Sequence, residues 1–226
     1  MIVKRTEDTR REPLVDWVVF LFWVIALVTT CILYPQLPEQ VPFHWGPSGE
    51  ADVWAPALTA VIVGLGLPVV IYLATWFAPG LIGGRSGYGG PATPHRLTRR
   101  GLVSSFIILH LVVLAIGLGV EPWRAFPIGV GLALIVLGNI YGLIPQNRFL
   151  GTRTRTTLED SSVWKSTHRL TGLLMVVSGL VLLLAAPFGG RWLLGLVPAV
   201  VLGLGLASFV IAANAGRASR GSDRGP

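Results

Sequence analysis

Long runs of apolar residues separated by short polar segments dominate this sequence. Each run is close to the roughly 20 residues that a helix needs to cross about 30 Å of hydrocarbon. Helices are expected because open strands would leave backbone groups unpaired in lipid. The predicted fold class is therefore an all-α polytopic membrane protein with six transmembrane helices. The predicted spans are residues 14–34, 56–78, 101–120, 126–144, 169–187 and 192–213.

The first apolar run follows a basic start, as a secretory signal peptide would. It is longer than the usual apolar core of about 7–15 residues and lacks an A-x-A-like cleavage site. Its segment ending in Cys31 resembles a lipoprotein cleavage box, but Thr30 is a poor residue before the cysteine. We interpret this run as a transmembrane helix.

The polar segments divide the chain into regions. The predicted regions are a cytoplasmic tail at 1–13, a two-helix region at 14–78 with an outer loop at 35–55, a cytoplasmic linker loop at 79–100 with little helical character, a four-helix region at 101–214 with a cytoplasmic loop at 145–168, and a frayed cytoplasmic tail at 215–226.

Composition and charge support a membrane protein. Only 13% of the residues are charged, whereas about a quarter are charged in a typical soluble domain. A net charge of +7 would suggest nucleic acid binding in a soluble chain. Here sixteen of the 18 Lys and Arg residues fall in alternate loops and tails, and only Arg124 and Arg191 fall in the others. This asymmetry predicts that both termini and the 145–168 loop are cytoplasmic, and we expect no direct nucleic acid binding.

Few polar residues lie within the predicted spans. His110 lies midway along the third span and Asn139 in the inner half of the fourth. An intramembrane ionisable residue is a functional candidate, whereas a neutral His110 could simply form a hydrogen bond between helices. A small transporter or channel could use both residues, but no Asp or Glu lies deep in any span, which disfavours ion-coupled transport.

The outer loop is acidic, aromatic and rich in proline. His44, Glu50 and Asp52 could bind a cation, which would make a metal-dependent membrane enzyme possible. Without helical spacing this set is a weak metal signature. A folded lid that caps helix ends, or a recognition surface for an external cationic ligand, explains the same residues. The chain has one cysteine, so a disulfide within the chain and a cysteine-based metal cluster are excluded.

The inner loop and the start of the fifth span carry the densest chemistry. Its basic residues are Arg148, Arg153, Arg155, Lys165 and Arg169. Such residues can anchor a protein to anionic lipid headgroups or provide a docking surface for a cytoplasmic protein. Thr157 and Asp160 resemble a capping box at a helix start. A helix beginning there would bring Trp164, His168 and Gly172 to one face.

Both loops resemble the SdpI family of bacterial immunity proteins. The inner loop carries the family pattern N, G-x-R-T, W-x-x-T-H-R and G in Asn147, Gly151, Arg153, Thr154, Trp164, Thr167, His168, Arg169 and Gly172. The outer loop resembles the DUF1648 region that often precedes it, through Pro38, Pro42, His44, Trp45, Gly49, Glu50 and Asp52. The chain departs from the family in having Thr154-Arg155 where Pro-Trp is frequent, and Trp45 where Phe is usual.

The resemblance implies a function and a set of partners. It implies a non-enzymatic immunity and signalling protein of the bacterial plasma membrane, which gives resistance to a secreted membrane-active peptide. The expected partners are anionic lipid headgroups, a toxin peptide outside and a repressor protein held at the cytoplasmic face. No cofactor is expected. Transport through His110 and Asn139, and metal-dependent catalysis at His44, Glu50 and Asp52, are the competing hypotheses.

Overall fold

The computed structural model describes residues 16–46, 50–81 and 92–222, and of residues 78–81, 92–95 and 220–222 it describes the backbone alone. The predicted tail at 1–13, Gly49 and residues 82–91 of the linker loop lie outside the described residues. The helices are α1 (Trp17–Leu33), α2 (Ala57–Leu81), α3 (Ala92–Gly117), α4 (Pro122–Tyr141), α5 (Arg155–Glu159), α6 (Ser161–Ala185) and α7 (Trp192–Ser222), and the strands are β1 (Gln40–Trp45) and β2 (Ala51–Pro56).

Six of the described helices, all except the short α5, are long and apolar enough to cross a membrane. Large apolar side chains point outward along them, for example Leu21 on α1, Val70 on α2 and Leu206 on α7. In water such an apolar surface would be unfavourable, but in a membrane the lipid tails contact and solvate it. The predicted class of all-α polytopic membrane protein is confirmed.

Three helices, α3, α6 and α7, extend by two turns or more beyond the boundaries that hydropathy predicted. α3 begins at Ala92, so the second half of the predicted linker loop is helical. Its Pro94 lies in the first turn, where the missing N–H would have had no partner in the helix. α6 begins at Ser161, and α7 continues to Ser222, into the tail predicted to fray. Hydropathy marks the apolar part of a helix, and these polar turns extend past it.

A network around Asp160 stabilises the polar ends of α6 and α7. Its carboxylate accepts from the N–H groups of Ser162 and Val163, and the Ser219 hydroxyl of α7 donates to it at 2.6 Å. The Ser219 and Ser162 hydroxyls and these N–H groups hold the pKa of Asp160 well below its usual value. The carboxylate therefore stays ionised and ties the end of α7 to the start of α6.

Close glycine contacts define the core of the bundle. α3 packs against α1, α2 and α4, and α4 makes the most extensive helix contact, with α6. A Cβ atom at Gly138 would lie 2.6 Å from the Gly172 carbonyl oxygen, and one at Gly131 would lie 2.8 Å from that of Gly179. Only glycine allows the two backbones to approach this closely. α6 is thereby fixed against α4.

A β-hairpin lies between α1 and α2, where the sequence indicated only an irregular loop. β1 and β2 pair antiparallel, with an irregular register around Phe43. Val41 is 2% exposed and contacts α3 near Gly117, and Trp45 packs edge-on against Phe126 of α4 with ring centroids 4.5 Å apart. These contacts hold the hairpin on the ends of α3 and α4.

The opposite end of the bundle carries both ends of the described chain. Arg100 at the start of the apolar part of α3 donates to Asp16, the N-cap of α1, at 2.7 Å. Burial alone would raise the pKa of Asp16, but the hydrogen bond and charge of Arg100 and the N–H groups of Val19 and Val18 lower it overall. The start of α1 and the end of α7 therefore lie at the end of the bundle that also carries the 142–160 segment.

Candidate functional site

His168 lies at the centre of the inner-loop motif. It is fully buried, at 0% exposure, on α6. The N–H of Thr152 donates to its Nε2 at 3.1 Å, and its Nδ1 lies 2.9 Å from the Trp164 carbonyl oxygen. Because an amide N–H can only donate, Nε2 must accept and Nδ1 must carry the proton. His168 is thus a neutral ring that bridges the loop and the helix.

Two aromatic rings enclose His168. Trp164 stacks on it at 4.0 Å and Tyr141 at 4.9 Å between ring centroids. The Trp164 indole N–H donates to the Ile144 carbonyl at 2.8 Å, and Trp164 is itself only 2% exposed. The predicted shared face of Trp164, His168 and Gly172 is confirmed, since all three are buried on α6. This face meets α4 and the loop that follows it.

The G-x-R-T part of the motif wraps around the imidazole. Gly151 has a φ of +100°, and a Cβ atom there would overlap His168 Nε2. Glycine is therefore required twice, for the backbone conformation and for the contact. The next residue, Thr152, provides the N–H that His168 accepts. Arg153 points outward, and its Nη1 donates to the Arg148 carbonyl at 2.8 Å.

Asn147 shapes the loop before the glycine. It is 3% exposed. Its Oδ1 accepts from the N–H groups of Phe149 at 2.7 Å and Leu150 at 2.8 Å, and its Nδ2 donates to the Pro145 carbonyl at 2.7 Å. A side-chain amide that forms hydrogen bonds with backbone groups both before and after it in the chain fixes a turn. Asn147 is therefore a structural residue of the motif.

The predicted capping box between Thr157 and Asp160 is wrong. The box pairs Thr154 with Thr157, each side chain accepting from the other's backbone N–H, and it begins α5. Asp160 is instead the N-cap of α6, which is a separate helix. The sequence offers several Thr and Asp residues that can cap, and the break between α5 and α6 at Asp160 decides which ones do. Thr154 thus has a defined structural role, and Thr157, which is 0% exposed, bonds the Thr152 carbonyl.

The basic residues of this region are exposed and form a surface that we call the inner basic surface. It comprises Arg148, Arg153, Arg155, Lys165 and Arg169. Arg155 pairs with Glu159 at 2.9 Å, which raises the pKa of its guanidinium. Thr167 is fully buried, and its hydroxyl has no hydrogen-bond partner among the described residues. The motif therefore has a buried part that folds the loop and an exposed part that includes Arg153 and Arg169.

The two intramembrane polar residues lie in different helix contacts. His110 is 4% exposed, and its Nε2 lies 3.0 Å from the Thr30 hydroxyl of α1, which itself donates to the Ala26 carbonyl. Nε2 therefore carries the proton, and Nδ1 faces Gly64 of α2 without a partner in the described structure. Asn139 is exposed on α4, donates to the Ile135 carbonyl and lines a groove of about 430 Å³ with Arg169.

The outer-loop motif lies on the hairpin. His44 Nδ1 lies 2.6 Å from Asp52 Oδ1, and both side chains are at least half exposed. Glu50 instead faces Arg191, with 3.5 Å between Nη2 and Oε1. In the described part of the chain no group of three His, Cys, Asp or Glu side chains could hold a metal ion. The structure thus brings His44 and Asp52 together and directs Glu50 elsewhere.

Two clefts flank Trp45 at this end of the bundle. One, of about 470 Å³, lies between the hairpin and the starts of α4 and α7 and is lined by Trp54, Glu121, Trp123 and Arg191 among others. The other, of about 610 Å³, is lined mainly by apolar groups that include Phe43, Phe126 and Pro198. Pro42 lines the first cleft, whereas Pro38 precedes β1. The motif residues therefore shape an aromatic surface with acidic groups.

Several residues of the site were not identified from the sequence. Tyr141, Ile144 and Thr152 contact the motif side chains through a ring face, a carbonyl and an amide N–H. Carbonyls and N–H groups carry no residue-specific signal, so Ile144 and Thr152 could not have been found. Tyr141 could have been found, as a polar aromatic residue at the end of an apolar run.

The fold and the two motif regions define a multi-pass α-helical membrane protein with a family-specific loop at each end. Residues 143–212 match the SdpI/YfhL protein family, and residues 21–71 match a domain of unknown function, DUF1648. The Immunity protein SdpI of Bacillus subtilis (strain 168) is 29% identical over 181 residues, which cover 79% of this chain and 84% of that protein. No solved structure matches the chain. The resemblance to the SdpI family that the two loops predicted is confirmed by these matches.

The contact between Gly151 and His168 predicts a selective loss of stability. Gly151→Ala should lower the free energy of unfolding by about 3 kcal/mol or more, because it combines backbone strain with overlap at a buried ring. Gly119→Ala is the matched control: Gly119 has a φ of +92°, but a Cβ atom there would meet no described atom within 4 Å, so only strain of about 1 kcal/mol is expected. Denaturant titration in mixed micelles measures both, and equal losses would contradict the contact.

Proposed function

We propose that this protein is a non-enzymatic immunity protein of the bacterial plasma membrane, which gives resistance to a secreted membrane-active antimicrobial peptide. The observation that carries the proposal is the similarity to the Bacillus subtilis immunity protein, which covers most of both chains. In this chain the two family regions follow one another along the sequence, and their loops lie at opposite ends of one bundle.

The outer surface suits an amphipathic peptide. Phe43 and Trp54 are 42% and 53% exposed on the hairpin, beside the two clefts that flank Trp45. Glu39, Glu50, Asp52 and Glu121 add acidic groups there. Aromatic rings provide large rigid contact area, and the acidic groups attract a cationic chain. We therefore assign toxin contact to the hairpin and its clefts.

The inner basic surface suits a signalling contact. Arg153 is the residue of the G-x-R-T segment that is exposed while its neighbours fold the loop. Its guanidinium is held by the Arg148 carbonyl, so it is presented in a defined position. An arginine fixed in this way binds carboxylates or phosphates with little further loss of entropy. We assign to this surface the docking of a cytoplasmic repressor, with anionic headgroups as the competing ligand.

The transport and enzyme hypotheses have less support. His110 contacts α1 and α2, whereas Asn139 is exposed on α4 beside α6, so the described helices do not form one polar path through both residues. Glu50 lies away from the His44–Asp52 pair. More of the chain therefore supports the immunity hypothesis than supports transport or catalysis.

The proposed roles require the hairpin outside and the inner basic surface in the cytoplasm. In a Cys31→Ser background, a membrane-impermeant maleimide added to intact cells should label Val53→Cys and leave Lys165→Cys unlabelled. The reason is that sixteen of the 18 Lys and Arg residues fall in the loops and tails that the sequence predicts to share the side of Lys165. Permeabilised cells should show labelling of Lys165→Cys as the accessibility control. The reverse pattern would overturn the orientation and both surface assignments.

Immunity itself is tested by survival. Expression in a host sensitive to secreted membrane-active peptides should raise survival, and Arg153→Ala should return it to the level of empty vector while insertion and melting temperature stay unchanged, because the side chain is exposed. Arg217→Ala, which removes another exposed arginine at the same end, should protect like the unmodified protein. Unchanged killing by every peptide tested rejects immunity, and full protection by Arg153→Ala rejects its role.

A further inference from the structure

The two clefts beside the hairpin adjoin one another but differ in chemistry. Trp45 and Leu194 line both of them and so form a shared wall. The cleft of about 470 Å³ carries carboxylates and indole rings, whereas the cleft of about 610 Å³ is lined mainly by apolar groups. Both volumes lie in the range of about 300–1,000 Å³ that is typical of small-ligand pockets. The pair can therefore hold two neighbouring groups of different character.

The smaller cleft has a carboxylate without an ion-pair partner among the described residues. Glu121 is the N-cap of α4, but its side chain caps no N–H group and pairs with no described cation. The other two charged residues of this cleft, Glu50 and Arg191, face each other at 3.5 Å. Arg124 lies outside the cleft, with its guanidinium 4.5 Å from the Trp123 ring centroid. The charged groups that line the cleft therefore leave one negative charge at Glu121.

Indole rings line the same cleft as this carboxylate. Trp54 on β2 is 53% exposed, and Trp45 and Trp123 lie on the other walls. The face of an indole ring attracts a cation, and the attraction is stronger where water is excluded. A carboxylate beside accessible indole faces is thus suited to an ammonium or guanidinium group.

The larger cleft has room for an apolar side chain. Phe43, Phe126 and Val197 line it, and Gly195 of α7 forms part of its wall. A Cβ atom at Gly195 would meet no described atom within 4 Å, so the glycine leaves this side of the cleft open. Because transfer of a large apolar group from water into such a site is favourable, this cleft is suited to an aromatic or aliphatic side chain.

We propose that the two clefts together bind two adjacent residues of a peptide, one cationic and one large and apolar, on the two sides of Trp45. This specificity rests on the proposed function, since it names the feature of an amphipathic peptide that the hairpin recognises. Adjacent side chains of an extended chain point to opposite sides, so a peptide along the shared wall directs one into each cleft. A purely apolar peptide would leave Glu121 without a counter-charge, and a purely cationic peptide would leave the larger cleft unfilled.

Titration of the detergent-purified full chain with dipeptides tests this specificity. The probe is acetyl-arginyl-phenylalanine amide, and its two analogues replace arginine with uncharged citrulline or phenylalanine with glycine. Nitrogen-15 NMR of the indole N–H groups of Trp45 and Trp54, assigned from Trp45→Phe and Trp54→Phe variants, reports binding. The probe should bind about tenfold more tightly than either analogue, because it alone supplies both the cation and the apolar group.

Two variants should remove the two preferences separately. Glu121→Gln should abolish the preference for arginine over citrulline and keep that for phenylalanine over glycine, and Gly195→Leu, which fills the larger cleft, should do the reverse. Gly203→Leu is the matched control on α7, where a Cβ atom also meets open space. Glu39→Gln is the control for charge: it lies three residues before Pro42, about 10 Å along an extended chain, beyond the screening length of about 8 Å at physiological salt. Both controls should keep both preferences.

Several outcomes would overturn the proposal. They are no saturable binding of the probe, equal affinity for the probe and an analogue, and an equal loss of preference in a variant and its control. Glu121 and Gly195 are exposed, so both variants should keep the melting temperature of the unmodified protein. The titration uses neither toxin nor cells, so a failed survival test would reject immunity without deciding the dipeptide specificity, and a failed titration would reject the specificity without deciding immunity.

Discussion

The end of the bundle that carries the 145–168 loop depends on one buried imidazole with a proton on a defined nitrogen. His168 accepts from the Thr152 N–H and bonds the Trp164 carbonyl, so its two ring nitrogens join the loop to α6. In a low-dielectric interior an unpaired polar group is costly, which makes this pair of bonds strongly selective for one loop conformation. The requirement for glycine at 151 follows from the space that the ring occupies.

This arrangement divides the family motif into two kinds of residue. Asn147, Gly151, Trp164 and His168 are buried or in contact with buried groups, and they hold the loop on the ends of α4 and α6. The charged side chains that the loop exposes, above all Arg153, are accessible to partners. Most residues of the motif are thus constrained by the fold of the loop. The proposed function depends on the few residues that this fold exposes.

Hydropathy and charge predicted the six spans well, because lipid imposes length and composition directly. The structure of the polar segments was predicted less well. The extension of α6 to Ser161 depends on the Asp160 cap and its Ser219 partner from α7, a contact 59 residues apart in sequence. The hairpin depends on packing of Val41 and Trp45 against α3 and α4. The shared face of Trp164 and His168 followed from helical spacing, but their partners are backbone groups, which sequence patterns do not identify.

Nitrogen-15 NMR of histidine-labelled protein tests the central arrangement most directly. His168 is assigned from its absence in a His168→Asn variant, and His110 in the same way. We predict that His168 carries its proton on Nδ1 and that its Nε2 is coupled to the Thr152 amide, whereas His110 carries its proton on Nε2, donated to Thr30. A His168 ring protonated on Nε2, or one that exchanges rapidly between tautomers, would contradict it.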